Sequence, residues 1–192
     1  MRIFAISNQK GGVGKTTTTV NLAACLMSKN KKVLLIDLDP QGNATSGAGI
    51  NKSEIEYSIY DVLIGQTSLK NSIIKSKDSL FDVCPANQAL AGAEIELVGI
   101  EQREYILKKE IESLNKVYDF ILIDCPPALS LLTVNALVAA DSVVIPMQCE
   151  YYALEGLSDL VNTIKKVKKS LNPNIEIEGL LRTLFDKRNT LA

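Results

Sequence analysis

The stretch from residue 3 to residue 30 constrains the fold more than any other part of the chain. Ile3–Ser7 is a short β-rich apolar run, and glycines follow at 11, 12 and 14. From Thr16 the apolar positions Val20, Leu22, Ala23, Leu26 and Met27 fit a helix ending near Asn30. Strand, glycine loop and helix in direct succession make a junction with a definite chemical ability. Glycines let consecutive backbone N–H groups turn inward, and the helix start adds unpaired donors and the positive end of its dipole. Such a junction cradles phosphate. Lys15 is placed to reach the β- and γ-phosphates of a nucleotide, the Thr16 hydroxyl to ligate Mg²⁺, and Thr17 to bond an α-phosphate oxygen. The usual pattern G-x-x-x-x-G-K-[ST] is met only from Gly14 onward. Five positions earlier stands Gln9, followed by Lys10.

Other apolar runs of strand length are Val33–Ile36, Phe81–Cys84, Phe120–Ile123, Val143–Pro146 and Ile177–Leu181. Between them, Leu107, Ile111 and Leu114 mark one helix face. Leu157, Leu160, Val161, Ile164, Val167 and Leu171 mark another. Uninterrupted apolar strands alternating with amphipathic helices imply an α/β fold, a mostly parallel sheet with helices on both faces. No repeat, low-complexity tract or composition break divides residues 1–192, so a single domain is expected. The polar stretch 42–58 reads as a mobile loop.

Asp37 and Asp39 close the second strand and Asp124 closes Phe120–Ile123. A terminal aspartate is often only a turn or cap residue. Open α/β sheets, however, bind ligands at the carboxyl ends of their strands, where a Mg²⁺-nucleotide also needs carboxylates. The chain has no histidine, which removes the usual general base, the commonest zinc ligand and any Ser-His triad. Cysteines at 25, 84, 125 and 149 form no C-x-x-C pair and read as buried small hydrophobes. A net charge of −1 leaves nucleic-acid binding to a local patch. No apolar run approaches the roughly 18 residues of a membrane span, and the N-terminus reads as a strand, not a leader. A cytoplasmic location without membrane attachment is the expectation.

Gln9–Thr18 (QKGGVGKTTT) resembles the deviant Walker A motif of the ParA/MinD superfamily. Asp37–Thr45 (DLDPQGNAT) is similar to its switch I, and Tyr118–Pro127 (YDFILIDCPP) to its Walker B strand running into switch II. Pro146–Gly156 (PMQCEYYALEG) resembles the chromosomal Soj/ParA proteins, as does the Asp39-Pro40-Gln41-Gly42-Asn43 string, which MinD does not share. The cluster-binding cysteines of nitrogenase iron proteins are not reproduced, which leaves Cys84 and Cys125 structural.

This resemblance implies a P-loop NTPase that binds ATP and Mg²⁺ and is a weak ATPase without a partner. It implies a cradle of Lys10, Gly11, Gly12, Val13, Gly14, Lys15, Thr16 and Thr17, with Lys10, Lys15 and Asp39 in catalytic roles. Asp39 would orient the attacking water, while Thr16, Asp37 and Asp124 would serve the metal. Lys10 would cross an ATP-sandwiched homodimer to the neighbour's phosphates; its alternative reading is a solvated loop lysine. The ATP dimer would bind DNA non-specifically, and a ParB/Spo0J-type partner would stimulate hydrolysis and release to ADP, which implies association with the nucleoid. Arg188 aligns with a DNA-contacting arginine. Lys165, Lys166, Lys168 and Lys169 lie on the polar face of their helix, either solvated or adding to a basic patch with Lys187. Family members continue for several more elements, so the chain is C-terminally short relative to the family. A positioning ATPase acting on a protein partner, or a small-molecule kinase or ligase on the same scaffold, are the alternatives.

Overall fold

The inner strand runs are apolar because both of their faces are covered, whereas the edge run Ile177–Leu181 is exposed at Ile177, Leu180 and Leu181. The computed structural model describes residues 1–75, 81–115, 117–148 and 153–185. On β1 (Arg2–Ile6), Ile3 and Ala5 enter one core while Phe4 and Ile6 enter another. On β2 (Val33–Asp37), Leu34 and Ile36 join the first and Val33 and Leu35 the second. The remaining strands are β3 (Ile74–Lys75), β4 (Asp82–Cys84), β5 (Phe120–Asp124), β6 (Ser142–Gln148) and β7 (Glu176–Thr183). Among the described residues they form one sheet in the order β3-β4-β2-β5-β1-β6-β7, parallel except for the β3–β4 pair.

Two helices carry the second core. These are α1 (Lys15–Met27), through Ala23 with Val20 and Leu26, and the short α2 (Asn43–Gly47), through Ala44. The opposite face is covered by α3 (Ile59–Leu63), α4 (Leu69–Ser72), α5 (Ala93–Glu96), α6 (Ile106–Ser113), α7 (Leu131–Ala139) and α8 (Ala153–Ser170). Leu160, Ile164 and Val167 of α8 are buried, while Lys165, Lys166, Lys168 and Lys169 are exposed, as the helical spacing predicts.

Three expectations change. The stretch 42–58 is not a plain polar loop: it holds α2 and a 3₁₀ turn at Lys52–Glu54, and Ala44 and Thr45 are fully buried. Cys25 is exposed because it lies off the buried stripe of α1, whereas Cys84 and Cys125 are buried as expected. Cys149 lies outside the described residues. The helix α7 has no counterpart in the sequence reading. Seven of its nine residues are buried, so it offers no amphipathic period to detect.

Strand register sets the site. Asp124 on β5 is the cross-strand partner of Ile6 on β1 and of Asp37 on β2. The three strands therefore end at one level, and the chain segments leaving them open onto a single cleft.

Candidate functional site

Beyond Ile6 the chain enters the glycine loop through Ser7 and Asn8, both buried. Asn8 fixes the entry: its Nδ2 donates to the Pro146 carbonyl (2.7 Å) and its Oδ1 accepts from the Lys10 N–H (3.0 Å). Gly14 leaves the loop at φ 86°, a left-handed conformation that glycine adopts without strain, and α1 begins at the next residue. A nest that aims N–H groups inward must turn carbonyls outward, and buried carbonyls need donors. Here the Gly14 carbonyl accepts from the Thr18 N–H (2.8 Å). The Lys10 carbonyl accepts from Lys15 Nζ (3.0 Å), that of Gly12 from Gln148 Nε2 (3.3 Å), and that of Val13 from Thr183 Oγ1 (2.8 Å).

In front of the loop lies a cleft of about 380 Å³. Gly11, Gly12, Gly14, Lys15, Thr16, Thr17 and Asp39 all line it, so most of the expected site residues converge. Val13 is buried and does not line the cleft. Lys10 sits at the loop's edge, where its Nζ donates to Gln148 Oε1 (3.1 Å). Arg188 and Lys187 lie outside the described residues.

The two buried strand-end aspartates do different work. Asp124 accepts from the Thr16 hydroxyl at Oδ2 (2.7 Å) and from the Thr19 hydroxyl at Oδ1 (2.9 Å), which ties β5 to the first turn of α1. Burial lifts its pKa to about 7 against the opposing pull of the threonine bonds, and the neighbouring Asp37 and Asp39 charges add to the rise. Asp37 is fully buried, and both of its carboxylate oxygens are engaged by the segment that follows β2. Its Oδ2 accepts from the Thr45 N–H and the Thr45 hydroxyl (2.7 Å each), and its Oδ1 from the Asp39 N–H (3.2 Å). Burial raises its pKa as well. Asp37 thus anchors the segment that carries Asp39. Asp39 Oδ1 accepts from the Gln41 N–H (2.9 Å), and Gly42 then turns the chain into α2 at φ 60°. Burial lowers the Lys15 pKa, although the charges of Asp124 and Asp39 oppose the shift.

The hydroxyl of Thr16 and the carboxylates of Asp124 and Asp39 are hard oxygen donors, which suit Mg²⁺. Among the described residues, no three His, Cys, Asp or Glu side chains cluster as a protein-only metal cage. A roomier cleft of about 490 Å³ lies at the other end of the sheet, near Lys31, Lys32, Lys75 and Tyr118. It offers no glycine amides, and its carboxylate, Asp82 at the start of β4, accepts from the Tyr118 hydroxyl, so the chemistry belongs to the glycine-loop cleft.

Sequence reasoning missed Asn8, Thr19, Thr45, Gln148 and Thr183 as members of this site. Gln148 and Thr183 contact the loop across 136 and 170 residues of chain, and no local spacing signals that.

A family model described as an AAA domain matches residues 1–177. The sporulation initiation inhibitor protein Soj of Bacillus subtilis is 57% identical over 191 residues, which span all of this chain and 76% of that protein. The chain belongs to the ParA/Soj family. The chromosome partitioning protein ParA of Myxococcus xanthus is 53% identical over 100% of this chain and 68% of its own length. The ParA/Soj fold is seen in a plasmid partition protein from Borrelia burgdorferi, with TM-score 0.84 and 35% identity over 98% of this chain and 82% of that one. It is also seen in a structure described as cobyrinic acid a,c-diamide synthase from Mycobacterium smegmatis with bound ADP and magnesium. That chain superposes with TM-score 0.94 at 40% identity, over 99% of this chain and 77% of its own. The sheet order, the glycine loop and the strand-end aspartates are those of a P-loop NTPase. No helix among the described residues is long and apolar enough to cross a membrane.

Proposed function

We propose that the chain is an ATP-driven dimerisation switch for DNA partitioning. The observation that carries the reading is the convergence of Lys15, Thr16, Asp39 and the loop glycines on one cleft, in a chain 57% identical to Soj. The loop amides and Lys15 hold the nucleotide phosphates. A phosphate oxygen is a stronger acceptor for Lys15 than the Lys10 carbonyl it touches, because both partners of the new bond are charged. The Thr16 hydroxyl and the Asp124 carboxylate would hold Mg²⁺, which would neutralise phosphate charge, while Asp37, bonded at both oxygens to the segment after β2, is left out of the metal set. Asp39 orients the attacking water. Lys10 leaves Gln148 and reaches the phosphates of a second copy, where an added cation offsets charge developing on the transferred group.

In this reading the ATP-bound dimer grips DNA through phosphate contacts, Arg188 among them, and a ParB-type partner stimulates hydrolysis and release. Such a grip is nearly blind to sequence and weakens steeply with salt. Size measurements with and without ATP test the switch. Asp39→Ala should accumulate the ATP dimer, and Lys10→Ala should prevent a productive one. A wild-type chain that stays monomeric and binds no duplex DNA in any nucleotide state would end the proposal.

The solved structure described as cobyrinic acid a,c-diamide synthase supports a second reading, a small-molecule ligase on the same scaffold. It ranks second because the partition-type relatives align at 48–57% identity, against 40% for that structure.

A further inference from the structure

We infer that Thr183 is a positioning residue for the nucleotide loop and that Gln148 acts beside it. This rests on the nucleotide-binding reading of the loop and extends it to two strands that carry none of its motif. Gln148 ends β6 and Thr183 ends β7, and the two are cross-strand partners in the parallel register. Neighbours in register point to the same side of a sheet. Here that side faces the loop. Gln148 Nε2 donates to the Gly12 carbonyl and Thr183 Oγ1 to the Val13 carbonyl, so adjacent strands hold adjacent carbonyls.

The geometry explains why these two carbonyls matter. A peptide unit is rigid, so fixing the carbonyl of one residue fixes the N–H of the next in the opposite direction. Holding the Gly12 and Val13 carbonyls outward therefore aims the Val13 and Gly14 N–H groups inward. Thr183 acts at a second point as well: a Cβ placed on Gly14 would lie 3.5 Å from its methyl carbon. The methyl thus forms a wall behind the helix start while the hydroxyl holds the loop. Leu184, the next residue, has φ 50°, an uncommon conformation for a branched side chain. Strand β7 turns away immediately after the residue that meets the loop.

The other loop anchors differ in kind. Lys15 supplies the donor for the Lys10 carbonyl but is itself a phosphate ligand, and the Gly14 carbonyl is held by α1. Among the described residues, Gln148 and Thr183 are side chains from distant strands that hold loop carbonyls without being phosphate ligands themselves, so they can act both with and without nucleotide. Pre-set donors lower the ordering cost of binding, and removing them weakens affinity without removing any ligand contact.

Thr183→Val and Thr183→Ser separate the hydroxyl from the bulk of the side chain. Valine keeps the shape and strand preference and loses the donor, whereas serine keeps the donor. Titration calorimetry with Mg·ATP and with Mg·ADP, together with a melting curve of each nucleotide-free variant, reads the effect. The loss of one hydrogen bond predicts a Kd about five- to tenfold weaker for both nucleotides in Thr183→Val. Thr183→Ser should bind within about twofold of wild type, and both variants should melt close to wild type without nucleotide. Gln148→Ala provides an independent variant, expected to weaken both nucleotides in the same direction. Wild-type affinity in Thr183→Val, or equal weakening in Thr183→Ser, would overturn the inference. A wild-type chain that binds neither nucleotide would instead overturn the reading of the loop.

Discussion

Replacing Thr45 by valine should destabilise the protein far more than a single conservative change normally does. The Thr45 hydroxyl donates to the buried Asp37 carboxylate (2.7 Å) and accepts from the Ala86 N–H (2.9 Å). Valine has the same shape and can make neither bond. A hydrogen bond to a charged acceptor contributes about 1.5–3 kcal/mol, and a buried donor left without a partner costs about 1–3 kcal/mol more. The sum is about 3 kcal/mol or more, which for a domain of this size lowers Tm by about 6–12 °C. Thr45→Ser keeps both bonds and loses one methyl, about 1 kcal/mol or 2–4 °C. Thermal melts of the three proteins give the comparison directly. The pH dependence has a definite sign. Burial already raises the Asp37 pKa in the folded chain, and the Thr45 bonds pull against that rise. Without the hydroxyl the rise is larger, so folding carries a larger penalty while Asp37 is ionised. That penalty fades as falling pH protonates the carboxyl in the folded state, and the gap between Thr45→Val and wild type narrows. Equal melting of the valine and serine variants at pH 7 would refute this account of the segment after β2.

Asn172 reaches the end of α7, where its Nδ2 lies 3.0, 3.2 and 2.8 Å from the carbonyls of Leu137, Val138 and Ala140. Asn172→Ala leaves helix-end carbonyls without a donor and should cost about 1–3 kcal/mol in a urea titration. Gly42→Ala should also destabilise. The φ is 60° and an added Cβ would sit 2.8 Å from the Ala86 carbonyl oxygen, so a loss of at least about 1 kcal/mol is expected by the same titration. Iodoacetamide at pH 8 followed by peptide mapping should label the exposed Cys25 and spare Cys84 and Cys125. Burial holds the Cys84 thiol at about 12 and raises that of Cys125 too, so neither presents a thiolate. Lys15→Ala should abolish measurable nucleotide binding in a calorimetric titration while leaving the α1 fold intact.

How much could be read in advance varied with how local the determining physics was. The strands at Val33–Asp37 and Phe120–Asp124 were legible because burial on both faces leaves an uninterrupted apolar run. The phosphate loop was legible because its glycines, lysine and threonines are consecutive. The helix Leu131–Ala139 was not, since a helix buried nearly all round has no polar face to set a period. Polarity suggested a loose segment at 42–58. There a buried carboxylate, Asp37, draws the Thr45 N–H and hydroxyl inward and fixes a helical turn. Asp37 and Asp124 look alike at the ends of their strands. Only the packing separates them, one turned to the segment that follows its own strand and one to the helix that follows the loop.

The outward carbonyls bear on whether the loop can be moved. Residues 9 to 18 look self-contained, as if they could be grafted between any parallel strand and helix. The graft would carry the inward amides but leave behind Pro146, Gln148 and Thr183, which hold the loop from strands far along the chain. A host scaffold would need its own donors one and two strands over, in matching register. The portable unit is therefore the three-strand edge β1-β6-β7 with its loop, and a decapeptide transplanted alone should bind phosphate weakly or not at all.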